Sequence, residues 1–422
     1  MTGQKTGSGS GSGSGTGGLR RRGTSWFHQF PAPLRELALL RLIGSLGAGG
    51  VLYLTPMVFH QAALGASGVT QGVALAALAG TAGRLLCGLL LDRGLNCGVP
   101  VLLALLLSLL GDSVLLGAHD FAAYLLGQAL LGSSMGFYWP AIELAVALSC
   151  PPVPSARGFA LARTADAAGI VAGALLGSLL AWASHLRAVY LVDITCLGVM
   201  ALLLLRHPLP DPRPRLRSGP SGAWREWLPP LLPLLGVAIV ATAMPALMQS
   251  ALPLELVRGG WRRPPLPEAV GALLIGLQLA LLLLLQWPVG QSLARRPVGH
   301  GLGLSLLCFC GGSLLLAASA FSPAGLWWVL VAQLPLALGQ AAFLPIATEA
   351  VVEVTPLEHQ GLAMALFSQC FAISALVAPL LAGAVLERQG HGTALWLGMA
   401  LCCVLSLELV RRLRSRAAAV LV

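Results

Sequence analysis

The sequence predicts an all-α integral membrane protein with twelve transmembrane helices in two pseudo-symmetric six-helix bundles. Three observations carry that expectation. Of 422 residues, 56% are hydrophobic and only 10% charged, whereas a soluble domain holds about 45–50% apolar and about 25% charged residues. Apolar runs of about 20 residues, the length that crosses a ~30 Å hydrocarbon core, recur along the chain. A basic, proline-rich interruption then divides those runs into two sets of six.

The same composition excludes several classes. The net charge of +10 comes from 26 Lys+Arg against 16 Asp+Glu. The arginines sit in short loops beside apolar runs, which retention of positive charge on the cytoplasmic side explains without a nucleic-acid partner. The nine cysteines lie mostly inside apolar runs, and Cys308/Cys310 and Cys402/Cys403 lack zinc-site spacing. They are expected to be packing residues, with no metal and no disulfide framework. No phosphate-binding loop is present and no catalytic constellation is spaced for chemistry, so an enzyme and ATP drive are not expected. No cofactor is expected, and the proton gradient is the expected energy source.

In chain order, residues 1–36 form a Gly/Ser-rich, basic cytoplasmic N-terminus expected to be disordered. No apolar signal core follows Arg20–Arg22, and Trp26, Phe27 and Phe30 are expected at headgroup depth. Helices are placed near 37–59, 69–91, 98–117, 121–149, 157–183, 188–206, 229–254, 268–291, 299–321, 325–352, 361–386 and 392–410. Helix is required because backbone groups in lipid must be satisfied within the segment. The halves are 37–206 and 229–412, joined by a cytoplasmic Pro/Arg-rich linker over 207–228, and 413–422 is a cytoplasmic tail. With the N-terminus inside, 18 Lys/Arg fall on the inner loops and tails and five on the outer loops, so both termini are expected in the cytoplasm. Trp182, Trp224, Trp227, Trp287, Trp327 and Trp328, at helix ends, are expected as interface anchors.

An internal repeat supports the division. Gln128 and Pro140 recur as Gln333 and Pro345, and Gly173–Ser178 aligns with Ala378–Gly383, both at an offset of 205. Gly88-x₃-Asp92-Arg93 recurs as Gly290-x₃-Ala294-Arg295 at an offset of 202. Duplicated six-helix halves place a binding site near the midplane between them.

On these residues the chain, from 37 to about 410, resembles the major facilitator superfamily. Gly88-Leu-Leu-Leu-Asp92-Arg93-Gly94 looks like that family's signature between helices 2 and 3, without its later basic pair; Asn96, Cys97 and Gly98 stand there. The resemblance implies that Gly88, Asp92, Arg93, Gly290 and Arg295 form the gate that holds the inside shut. Gly169, Gly173 and Gly177 resemble the glycine/proline motif of the superfamily's antiporters, with Ala174 at the proline position, and Pro379 and Gly383 stand in the second copy. Small residues every four positions equally serve close helix packing.

Ionisable residues inside helices point to function, since each costs at least ~2.5–3.5 kcal/mol at the bilayer centre. Glu143, Arg163 and Asp166 can meet at one depth and are the proton-coupling candidates; a static, self-neutralising triad is the alternative. Asp112 and Asp193 are expected to be structural, and Arg41 and Arg84 to snorkel from helix ends. Glu349 and Glu353 could pair with Arg93 or Arg157. The family cavity implies a substrate lined by Tyr53, Met57, Tyr138, Trp139, Met244, Gln249, Gln340 and Phe343. Aromatic and Met side chains suit amphiphilic solutes.

The expected function is therefore secondary transport of a small amphiphilic molecule by alternating access, as proton-coupled efflux of the antiporter type. A facilitator or proton symporter for a small metabolite, and a non-transporting membrane sensor, remain as alternatives. Localisation in a bacterial inner membrane and a monomer are expected.

Overall fold

The computed structural model describes residues 25–61, 66–211 and 224–420. Among the described residues twelve long helices follow one another without a strand: α1 Ala32–Gln61, α2 Ala66–Asp92, α3 Gly98–Gly117, α4 Phe121–Ser149, α5 Ser155–Trp182 and α6 Ala188–Arg206, then α7 Trp224–Arg258, α8 Glu268–Leu293, α9 Val298–Ser319, α10 Gly325–Val354, α11 Gln360–Gln389 and α12 Thr393–Val420. Ten of them are long and apolar enough to cross a membrane, and the chain is a multi-pass integral membrane protein. The other two, α1 and α4, carry Arg41 and Glu143. An even number of crossings puts the start of α1 and the end of α12 on one face, called here the terminal face.

The bounds depart from the expected ones mainly at three places. Helix α1 begins at Ala32 rather than 37, because Pro31 and Pro33 suit a first helical turn. Helix α7 begins at Trp224, and α12 runs on to Val420 through the segment expected to be a tail. The Gly/Ser tract up to residue 24, the linker core 212–223 and residues 421–422 lie outside the described residues.

Helix packing repeats between the halves. In the first, α1 packs on α5 and α6, α4 on α2 and α3, and α3 on α6. In the second, α7 packs on α11 and α12, α10 on α8 and α9, and α9 on α12. The contacts between halves obey the same rule: α2 meets α11 as α8 meets α5, and α4 meets α11 as α10 meets α5. Apolar side chains cover the lipid-facing surfaces, as with Leu78, Leu284 and Leu380. With lipid as apolar as the core, close backbone approach supplies the association. A Cβ added to Gly173 would strike the Leu46 carbonyl oxygen on α1 and lie 3.2 Å from the Gly50 nitrogen.

Several aromatic residues are packed where interface anchors were expected. Phe30 is buried, edge-on to Trp287 of the other half at 5.9 Å. Trp227 is buried and stacks on His359. Trp182, Trp327 and Trp328 are exposed at helix ends; the side chains of Trp26 and Trp224 lie outside those described.

Candidate functional site

Four charged side chains meet inside the first half, on α1, α4 and α5. Arg41 donates from Nε and Nη2 to the two carboxylate oxygens of Asp166, and from Nη1 to Glu143 Oε1 at 3.0 Å. Arg163 Nη2 lies 2.9 Å from the same Glu143 oxygen, and its Nη1 lies 3.6 Å from Asp166 Oδ2. The Ser45 hydroxyl donates to Asp166 Oδ1 at 3.1 Å. All four charged residues are buried. Both guanidinium carbons lie 5.5 Å from the centre of the Trp139 ring, a cation–π arrangement that draws on the ring's negative face. Two positive and two negative groups balance, as buried charges require.

Glu143, Arg163 and Asp166 thus come together as the helix spacing implied, and Arg41 is the fourth member. The expectation that Arg41 snorkels from a helix end is corrected: α1 starts nine residues before it, about 13 Å at 1.5 Å per residue, and the side chain is fully buried. The signal was in the sequence, in the Pro-Ala-Pro that starts α1 early. Arg84 does not snorkel either. It is buried, and its Nε donates to Ser368 Oγ on α11 at 2.9 Å, tying the two halves.

Beside this network lies a cavity of about 400 Å³. Its walls come from α1, α2, α3, α4 and α6, closed by Ala372, Ala375 and Leu376 of α11. Its polar lining includes Ser45, Arg84, Gln128, Tyr138, Trp139 and Asp193, among apolar neighbours such as Val51, Leu105 and Met200. Tyr138 and Trp139 therefore line it. Met244 and Phe343 do not: both are buried, Phe343 against Phe367. Gln249 and Gln340 line a separate, much smaller crevice of about 30 Å³ between α7, α8 and α10. The side chains of Tyr53 and Met57 lie outside those described.

The cavity ends toward the terminal face where the halves close on each other. Asp92, the last residue of α2, accepts hydrogen bonds from the Gly361 and Leu362 amides at 2.8 and 3.2 Å. These are the second and third amides of α11, whose free N–H groups and positive dipole end suit a carboxylate. His359 Nδ1 lies 4.0 Å from Asp92 Oδ2. One turn back, a Cβ on Gly88 would sit 2.7 Å from Ala365 Cβ and 2.9 Å from the Gly361 oxygen. The repeat is physical: a Cβ on Gly290 would sit 2.7 Å from Ala160 Cβ, and Ala160 and Ala365 stand 205 apart. Arg93 and Arg295 are exposed.

Among the described residues no ion pair joins Glu349 or Glu353 to Arg93 or Arg157. Arg157 donates instead to Gln29 and lies over the Phe30 ring. On α5, Gly169 and Gly173 lie against the α1 backbone, with Gly177 against Leu54. In the second copy, Pro379 is half-buried and a Cβ on Gly383 would meet nothing within 4 Å. Among the described residues all nine cysteines are free, and no cluster of His, Cys, Asp and Glu is arranged to hold a metal.

Two six-helix halves with matching contacts, a cavity beside their interface and a closure at one face define a membrane transporter rather than an enzyme. The model of the Major Facilitator Superfamily matches residues 37–300 and 235–420. The chain belongs to that family. Among solved structures it is similar to the fucose transporter FucP in the outward conformation, with a TM-score of 0.75 and 15% identity over 90% of this chain and 98% of that one. It is also similar to the human organic anion transporter MFSD10 (TETRAN), with 0.70 and 17% over 89% and 98%. A bacterial homologue of the iron transporter ferroportin, outward-facing, matches with 0.72 and 17% over 91% and 99%. At such identities the likeness is one of fold. No curated protein sequence matches the chain.

Proposed function

We propose that the chain is a secondary transporter that exports a small amphiphilic molecule by alternating access, in exchange for protons. The observation that carries this reading is the 400 Å³ cavity, where tyrosine, tryptophan and glutamine groups stand among apolar walls. A few placed polar atoms in an apolar, drug-sized space orient an amphiphile and would leave the many hydroxyls of a sugar unpaired. The contacts between Asp92 and α11 support a form closed at the terminal face, which this reading makes the cytoplasmic face of a bacterial inner membrane. Such a form would release the solute outside and take up protons there, and would load solute again from inside after the halves rock.

The network of Arg41, Glu143, Arg163 and Asp166 lies against the Trp139 ring, which lines the cavity edge-on to Tyr138. Its two guanidinium and two carboxylate groups are paired with one another, which supports a static brace, so the exchangeable proton is to be sought elsewhere.

The test uses purified protein in proteoliposomes holding an imposed pH gradient and a pH-sensitive dye, challenged with lipophilic cations, phenolics and small metabolites. Proton movement driven by an amphiphile, and absent from empty liposomes, is expected. Labelled solute crossing with no proton movement would replace exchange by facilitated diffusion. A response confined to polar metabolites would overturn the amphiphile assignment.

A further inference from the structure

We propose that Asp112 and Asp193 form a proton-binding site beside the cavity, one proton shared between two carboxyl groups. This rests on the proton-exchange reading and gives it a carrier outside the four-charge network.

Asp112 on α3 and Asp193 on α6 are both buried, at 0% and 5% exposure. Their carboxyl groups lie within reach of each other across the packed pair α3 and α6. Among the described residues neither oxygen of Asp112 has a hydrogen-bond donor, and neither carboxyl has a cation beside it. Two carboxylates are acceptors only, so a hydrogen bond between them requires that one carry a proton. Like charges at that separation in a dry site cannot both persist. The proton belongs to the pair.

The groups around the pair supply no substitute for it. Helix α1 presents Gly47, whose added Cβ would lie 3.0 Å from Asp193 Cγ, and Thr55, which accepts from Tyr190. Helix α4 presents Tyr124, and α6 itself presents Tyr190 and Cys196. Arg187, at the start of α6, is committed to the Leu116 and Ala118 carbonyls. Arg41 on α1, with Arg163 and Asp166 on α5, is held in the charged network.

Asp193 also lines the cavity, whereas Asp112 lies behind it. A proton can therefore leave the shared O–H for cavity water while its electron pair stays on the carboxylate. The bond that joined α3 to α6 then becomes a repulsion, beside the point where Gly47 brings α1 against α6. Loss of the proton thus acts on three helices that wall the cavity.

The experiment is infrared spectroscopy of the purified protein at neutral pH, reading the carbonyl stretch of protonated carboxylic acids and its shift in D₂O. The wild type and Glu349→Gln should show the band, and Asp193→Asn should lose it. The asparagine amide can donate to Asp112, so this variant keeps the hydrogen bond and its fold. A band of undiminished intensity in both Asp193→Asn and Asp112→Asn would overturn the site. The same variants are then assayed in proteoliposomes. Unchanged proton movement per solute in a variant that has lost the band would overturn the coupling role. If the wild type moves solute without protons while the band behaves as expected, the exchange reading fails and the proton site stands.

Discussion

The two halves of this transporter pack alike and differ in chemistry. Each helix contact in α1–α6 has its counterpart in α7–α12. Yet Arg41, Arg84, Asp112, Glu143, Arg163, Asp166 and Asp193 are all buried in the first half. The second buries amides and hydroxyls at depth, such as Gln278, Gln333, Thr242 and Ser374, and confines its buried ion pair, Arg263 with Glu255 at 2.9 Å, to the face opposite the termini. Packing symmetry comes from small residues at fixed offsets, which set how near two backbones can lie. Charge is costly in lipid, so it persists where a cavity wall gives it work, and the cavity belongs almost wholly to the first half.

The contrast can be broken first at Arg41. Arg41→Ala leaves Glu143 and Asp166 with one guanidinium between them, and removing one partner of a buried pair costs about 3–5 kcal/mol. Thermal unfolding in detergent should show a large loss of stability. Thr242→Ala, which removes the bond to Ser374 at 2.8 Å between α7 and α11, should cost only about 1 kcal/mol. Equal losses would show that the halves are alike energetically as well as geometrically.

The next largest effect concerns the two copies of the contact between halves. Gly88→Val drives a side chain into the backbone of α11 as well as Ala365, and overpacking of this kind costs about 1–3 kcal/mol. The clash exists only while the terminal face is closed, so spin labels at Arg93→Cys and Leu357→Cys should report a longer distance in Gly88→Val. Gly290→Ala should move them less, since its new methyl meets the Ala160 methyl rather than backbone.

Smaller still is the effect of charge at the same place. Asp92→Asn keeps one acceptor for the α11 amides and loses the charge–dipole attraction, about 0.3–1 kcal/mol. The same labels should show a modest gain of the open form. The second copy has Ala294 where the first has Asp92. Ala294→Asp places a carboxylate toward the start of α5, near Ala156, the counterpart of Gly361 at the offset of 205. It should favour the closed form by a similar amount, and no change would mean that the copies have diverged in backbone as well as side chain.

Twelve helices and their division were legible because they rest on length and apolarity, which are local properties, whereas the partner of Gly88, α11, was not. Glu143, Arg163 and Asp166 could be gathered because α4 and α5 are consecutive and joined by a short loop. Arg41 was misplaced by a helix start set five residues late, which made a central residue look like a terminal one. Arg84 and Ser368 are 284 residues apart, and no local pattern relates them. The cavity lining was legible only in part. Tyr138 and Trp139 face it, but Met244 and Phe343 turn into the core, since position along a helix fixes depth and leaves the facing direction to the packing of its neighbours.

The one-sided cavity bears on affinity. Among the described residues, a solute there would touch α11 only through Ala372, Ala375 and Leu376, and its other neighbours would belong to the half that moves as a single piece. When the halves rock, the solute travels with its host and exchanges one thin apolar wall for water or lipid. Its dissociation constant measured from either side of the membrane should then differ little, and the direction of net flux would be set by whatever drives the rocking.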